Sequence, residues 1–205
     1  MHSGAEQLAF DFGAQRPEDA HSRADRLFFA ALPELGAAKR IAAYTAALRQ
    51  THGLTGRARP TRLLHVSLAG VGGFGRLPKP VVAAAMCAGA KVRMAPFEVC
   101  FSRVMSFDGR LRPGQRRAIV LRCDRGGQEF IHLRQTIGVA MRSVHLSRGL
   151  PEGFAPHVTL LYDQERVPEA ALCEPIGWTV REFVLVHSVV GRGRHIHLAR
   201  WQLDG

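Results

Sequence analysis

The sequence predicts an α+β (α/β) fold built from two similar halves. Three observations carry this. Short apolar runs bounded by Gly or Pro alternate with longer stretches of helical period; the order strand–helix–strand occurs twice; and the second strand of each triplet holds the same pattern, His-apolar-hydroxyl-apolar.

Order begins at Arg26. Leu27-Phe28-Phe29-Ala30-Ala31-Leu32 is a continuous apolar run closed by Pro33, as in a strand buried on both faces. Residues 34–50 set Leu35, Ile41, Tyr44 and Leu48 at near-helical spacing and stop before Gly53, so a helix is expected there. Gly53 to Pro60 is a basic connection. Leu63 to Ala69 reads as the second strand, and Gly70, Gly72, Gly73 and Gly75 as a flexible loop after it. The alanine-rich stretch 79–91 predicts a helix. The alternation of Phe97-Glu98-Val99-Cys100-Phe101 after Pro96 predicts a strand, and 116–123 another beyond the turn from Arg110 to Gln115. Phe130, Leu133, Ile137, Met141 and Val144 recur every three or four residues, which gives a helix over 127–146 one apolar face. Pro156 introduces a strand from His157 to Tyr162. Two long strands, 178–189 and 194–203, follow as a hairpin about Gly191-Arg192-Gly193. Residues 1–24 are polar, lack a sustained period and read as a flexible tail with one short alternation, Leu8, Phe10 and Phe12. Residues 25–205 read as a single domain.

Composition narrows the function classes. Of 205 residues 46% are hydrophobic and 22% charged, a globular balance that excludes a disordered, collagenous or coiled-coil chain. No stretch approaches the roughly 20 apolar residues of a membrane span, and no signal pattern opens the chain, so a cytoplasmic protein without a membrane partner is expected. Lys+Arg number 28 against 17 Asp+Glu, giving a formal charge of +11. Only Lys39, Lys79 and Lys91 are lysines; the rest are arginines, whose planar fork of donors suits phosphate. An arginine-rich solvated surface would have the same composition. Cys87, Cys100, Cys123 and Cys173 form no CxxC pair and read as reduced core thiols.

The duplicated pattern carries the chemistry. In His65-Val66-Ser67-Leu68 and His157-Val158-Thr159-Leu160, strand alternation puts imidazole and hydroxyl on one face and the aliphatic residues on the other. Two such strands facing a cleft would gather two imidazoles and two hydroxyls. One neutral imidazole can take a proton from an attacking oxygen and one imidazolium can give a proton to a leaving oxygen, because histidine titrates near working pH. Each hydroxyl can donate to a non-bridging phosphate oxygen. The set needs no metal and no cofactor. A single His-x-Ser is expected by chance; two copies at matching places of two half-repeats are better evidence. Other histidines read otherwise: His195 and His197 as cleft-lining or structural rather than a metal pair, His132 and His145 as surface or boundary residues, His187 as a satisfied core histidine. The glycine stretch lacks the Gly-Lys-Ser/Thr ending of a phosphate loop.

On these residues the chain resembles the bacterial 2'-5' RNA ligase (LigT-like) or RNA 2',3'-cyclic phosphodiesterase family of the two-histidine phosphoesterases, over about residues 26–203. Arg26-Leu27-Phe28-Phe29-Ala30 looks like its opening strand. His65-Val66-Ser67-Leu68 and Pro156-His157-Val158-Thr159-Leu160 match its two HxTx motifs. Trp178-Thr179-Val180, Glu182-Phe183, Ser188, Gly191-Arg192-Gly193-Arg194 and Arg200-Trp201-Gln202-Leu203 look like its C-terminal strands. The resemblance implies a bilobal fold of two pseudo-symmetric lobes, each with an antiparallel sheet and helices, around a central cleft. It implies metal-independent opening of 2',3'-cyclic phosphate ends of RNA to a 2'-phosphate, reversible as 2'-5' ligation. His65 and His157 would be the acid–base pair, in an order that the direction of reaction decides, and Ser67 and Thr159 the phosphate-orienting hydroxyls. The expected partner is an RNA or nucleotide with a cyclic phosphate end, and the expected state a monomer.

Two departures stand out. Ser67 replaces a common threonine but keeps the hydroxyl. Tyr162 stands where many relatives have an arginine, three residues after the second hydroxyl, so Arg59, Arg62, Arg192 and Arg194, with Arg112 in a basic turn, are candidates to replace it. Phe28 or Phe29 could stack on a base; Phe29 and Tyr162 are taken as substrate-binding candidates. Two further readings use the same residues: hydrolysis of a small cyclic phosphate such as ADP-ribose 1'',2''-cyclic phosphate, or RNA binding without turnover.

Overall fold

The computed structural model describes residues 24–107, 114–146, 150–189 and 191–204. All but the last residue of the expected tail, and Arg112, lie outside these. The elements run β1 (Asp25–Ala31), α1 (Leu35–Thr51), a 3-10 turn (Thr61–Leu63), β2 (Val66–Phe74), α2 (Lys79–Gly89), β3 (Phe97–Ser106), β4 (Arg117–Arg125), α3 (Gly127–Ser143), β5 (His157–Asp163), β6 (Ala170–Val180), β7 (Glu182–Val189) and β8 (Arg194–Gln202).

They form two antiparallel four-stranded sheets, ordered β2-β1-β7-β8 and β5-β4-β3-β6. The two histidine strands hold matching places, β2 at the edge beside β1 and β5 at the edge beside β4, and these edges meet at the centre of the molecule. Helices tie the lobes together. α1 follows β1 yet packs on β5 and β6, where the Arg40 guanidinium donates to the Gly177 carbonyl at 2.7 Å; α3 follows β4 yet also touches β2. One apolar cluster therefore runs through both lobes, from Leu27, Phe29 and Phe183 to Phe101, Leu121 and Phe130. A small second cluster of Phe28, Ala30, Val184 and Val186 lies on the opposite face of the first sheet, the face that turns to the site. That sheet curls enough for β8 to reach the 3-10 turn ahead of β2.

Several expectations change. The strand expected over 178–189 is two strands in different sheets, with Arg181 alone between them. The signal is a change of phase: Ile176, Trp178 and Val180 bury even positions, whereas Phe183 and Leu185 carry the main core on odd ones. Of the glycines expected in a loop after Ala69, only Gly75 lies beyond the strand; pairing with β1 carries β2 through Gly70, Gly72 and Gly73 to Phe74. Leu35 is 71% exposed, and the buried stripe of α1 is Ala37, Ala38, Ile41, Thr45 and Leu48. α3 stops at Ser143, short of the expected 146. The four cysteines are free but none is fully buried: Cys87 and Cys173 are exposed, Cys100 and Cys123 half-buried.

Candidate active site

Each histidine strand is shaped by the same irregularity. Ser67 pairs with Ala30 and Ala69 with Phe29, so Leu68 is an extra residue; Thr159 pairs with Val120 and Leu161 with Ile119, so Leu160 is extra. An inserted residue reverses the alternation beyond it. The residue three places after each hydroxyl, Gly70 on β2 and Tyr162 on β5, is thereby returned to the hydroxyl's own face. A bulge also frees backbone groups that need partners. Both freed carbonyls find theirs across the lobe boundary. The Arg59 backbone N–H donates to the Leu160 oxygen at 2.7 Å. The buried Arg134 of α3 donates to the Leu68 oxygen at 2.7 Å and to the Pro151 oxygen at 2.6 Å, and its guanidinium lies 4.7 Å from the Phe154 ring centre.

The two imidazoles are held alike. Nδ1 of His65 lies 2.8 Å from the Leu63 carbonyl oxygen, and Nδ1 of His157 lies 2.8 Å from that of Ala155. A carbonyl only accepts, so Nδ1 carries the proton and donates, and Nε2 bears the lone pair of the neutral ring. Aromatic rings brace both: Phe28 lies 5.3 Å from His65 and Phe107 lies 4.7 Å from His157, centre to centre. His65 begins before β2, on the exit of the 3-10 turn; His157 opens β5.

Beside His65 is a cavity of about 70 Å³ walled by Arg26, Phe28, Arg59, His65, Ser67, Gly70, Ser188 and His195. The curl of the first sheet brings His195 of β8 to 5.1 Å from His65 and 5.7 Å from Phe28, ring centre to ring centre. Arg26, Ser188 and His195 face one another across β1, β7 and β8. Burial pushes His65 down to about 3; the Leu63 carbonyl opposes this, and the charges of His195, Arg59 and His157 add to the lowering. Burial, with Arg59 and His197, pushes His195 down to about 4. His65 and His195 are thus neutral in the free protein at neutral pH, able to accept a proton at an unprotonated ring nitrogen.

The connection ahead of β2 is clamped to β5. Asp163, 2% exposed, accepts from the Gly56 N–H at 2.6 Å and the Glu165 N–H at 3.1 Å. Burial raises its proton affinity, but the backbone donors of Gly56, Glu165, Gln164 and Thr55 outweigh it and hold the carboxyl below the usual range. A Cβ at Gly56 would overlap the Tyr162 carbonyl oxygen, which is why glycine sits there. So fixed, the connection lays the Arg59 guanidinium over the Tyr162 ring, 5.3 Å from its centre, with Nη2 3.5 Å from the hydroxyl.

A model of the 2'-5' RNA ligase superfamily matches residues 33–192. The chain belongs to this superfamily. Solved structures agree with the assignment. Escherichia coli LigT complexed with NADP+ is 27% identical, covering 89% of this chain and 99% of its own at a TM-score of 0.66. LigT complexed with 3'-AMP is 26% identical over 89% and 99%, with a TM-score of 0.67. TT0787 of Thermus thermophilus, at 20% identity over 88% and 98% with a TM-score of 0.70, is similar in fold. No curated protein matches the chain.

Superfamily membership fits the two-lobed α+β architecture, and the residues picked from sequence fall into three groups. His65, Ser67 and Arg59 share the cavity, and His157, Thr159 and Tyr162 stand on the site face of the neighbouring β5. Phe29 is a correction: it is fully buried and packs on Phe183 and Trp201, while Phe28, one residue earlier and so on the opposite face, lines the cavity. Arg62, Arg192 and Arg194 are exposed and do not line it. Arg26, Gly70 and Ser188 line it without having been picked; alternation from Phe28 would have pointed to Arg26. Outside the site, His187 is half-buried and paired with Asp25 at 2.7 Å, and His132 and His145 are exposed. Among the described residues no three His, Cys, Asp or Glu side chains group as metal ligands would, and no helix is long and apolar enough to cross a membrane.

Proposed function

We propose that this protein is a phosphoesterase that opens 2',3'-cyclic phosphate ends of RNA to a 2'-phosphate without a metal, with His65 and His157 as the acid–base pair. The observation that carries the reading is the pair of matched strands, each with an imidazole held through Nδ1 by a carbonyl two residues back and a hydroxyl two residues on. In hydrolysis one Nε2 removes a proton from water as its oxygen attacks phosphorus. The P–O3' bond breaks, and the other imidazolium gives its proton to O3'. Ser67 and Thr159 donate to the non-bridging oxygens. When a 5'-hydroxyl attacks in place of water, with the histidines in the same roles and the P–O3' bond again breaking, a 2'-5' linkage forms instead.

Turnover of a 2',3'-cyclic mononucleotide and of a cyclic-phosphate-ended oligonucleotide, each with EDTA present, tests this. Asparagine at either histidine keeps a donor near the Nδ1 position but no base, so His65→Asn and His157→Asn should each lower kcat by roughly 10²–10⁴-fold. Full activity in both variants removes the assignment, and a strict metal requirement removes the mechanism. Tight RNA binding without turnover would instead make the chain a binding module. A nucleotide-sized cyclic phosphate is the second reading, favoured because the 26–27% identical LigT is complexed with 3'-AMP and NADP+. A higher kcat/KM on the mononucleotide than on the oligonucleotide selects it.

A further inference from the structure

A phosphate held between β2 and β5 needs a cation, and neither strand supplies one on its site face. The positions that the bulges turn inward are Gly70, with no side chain, and Tyr162, with a neutral one. Two guanidinium groups line the cavity, those of Arg26 and Arg59. Arg26 pairs with Gly73 on β2, well along the strand from Ser67, which pairs with Ala30. Arg59 comes from the connection fastened along β5. Its own backbone N–H fills the bulge carbonyl next to Thr159, its guanidinium lies on the Tyr162 ring, and it lines the same cavity as His65 and Ser67. It is thus the one of the two cavity arginines in contact with both histidine strands.

We propose that Arg59 is the phosphate-holding cation of this site, delivered by the connection ahead of β2 instead of by a strand, and that Tyr162 is its positioning residue. The proposal rests on the phosphoesterase reading above and names the group that holds its substrate. A guanidinium presents paired N–H donors in a plane, matched to two non-bridging oxygens, and its charge opposes the negative charge that builds at phosphorus during attack. The tyrosine ring beneath the cation, 5.3 Å from its centre, holds the guanidinium over β5. The Gly56–Asp163 clamp fixes the backbone from which Arg59 reaches.

The test has two readouts. On a 2',3'-cyclic nucleotide, Arg59→Ala should lower kcat/KM by about 100-fold, with Arg59→Lys recovering part of it. Tyr162→Ala should raise KM several-fold, and Tyr162→Phe should recover most of that loss, because the ring matters more than the hydroxyl at its long 3.5 Å separation. Arg62→Ala, Arg192→Ala and Arg194→Ala should each stay within threefold of the parent. The second readout is calorimetric binding of inorganic phosphate to the His65→Asn protein, which should be lost when Arg59→Ala is added. Arg59→Ala activity within threefold of the parent overturns the proposal, as does an equal loss from any of the three exposed arginines or a larger one from Arg26→Ala. If the parent protein opens no cyclic phosphate, the phosphoesterase reading falls, and phosphate binding alone decides the role of Arg59.

Discussion

At the scale of single residues, the cavity histidines His65 and His195 differ from free imidazole in being built into the fold as neutral groups. His65 is pushed down to about 3 and His195 to about 4 from an ordinary 6.5, chiefly by burial. For a base lowered in this way, the unfolded chain binds protons below about pH 6.5 that the folded chain refuses. Stability is therefore full above 6.5 and falls as the pH drops toward 4 and then 3, where the folded protein protonates as well. Thermal melts from pH 8 to pH 4 should show this decline, and His195→Asn should flatten it; an unchanged acid slope in that variant would remove His195 as a cause. Sequence made His65, Ser67, His157 and Thr159 visible because a period-2 pattern repeated in two half-repeats is a local property. Choosing Phe28 over Phe29, or Arg59 over Arg62, Arg192 and Arg194, was not possible from pattern alone. Those choices depend on which face the long-range partner covers and on where a connection is tied down.

At the scale of elements, the bulges at Leu68 and Leu160 set the site more than strand propensity does. Each leaves a carbonyl that an opposing group must fill, and Arg134 fills one of them while also holding the segment that leads to His157. Arg134→Ala removes two charge-assisted bonds, one of them to the buried Leu68 carbonyl, and should cost about 2–4 kcal/mol of unfolding free energy in urea titration. The site readout should follow, since β2 and the approach to β5 lose a common anchor; a variant as stable as the parent would show the carbonyls to be satisfied otherwise. These bulges were illegible in the sequence, because Leu68 and Leu160 are ordinary strand residues and the extra place appears only against β1 and β4. The division of 178–189 at Arg181 was marked only by the change of phase, which the apolar Val184 and Val186 blur, and by no Gly or Pro. The glycines of β2 misled in the other direction: weak local preference was overruled by pairing with Arg26, Leu27 and Phe28.

At the scale of the whole molecule, the two lobes share one apolar core. β7 and β8 come from the end of the chain yet complete the sheet begun by β1 and β2, and one apolar cluster spans both sheets. A single cooperative transition is expected. The two tryptophans can report on it separately: Trp178 stacks on Phe101 in one sheet and Trp201 on Phe183 in the other. Trp178→Phe and Trp201→Phe, each followed by the remaining indole's fluorescence in urea, should give coincident curves once each is referred to its own circular dichroism. Separate midpoints would mean that the lobes melt independently. Two similar halves were legible from the repeated strand–helix–strand order and the two-lobed architecture from the family resemblance, whereas the sharing of helices and strands between lobes was not, since it depends on contacts distant in sequence.

The meeting of β2 and β5 also bears on solubility. Open sheet edges invite other chains to add strands and aggregate. Of the four sheet edges among the described residues, the two that carry the histidines cover each other. The remaining two are guarded by composition: Pro175 within β6 removes a backbone donor, and β8 presents exposed Arg194 and Arg200. The same arrangement that gathers the reactive groups thus leaves little bare backbone for a neighbouring copy to pair with.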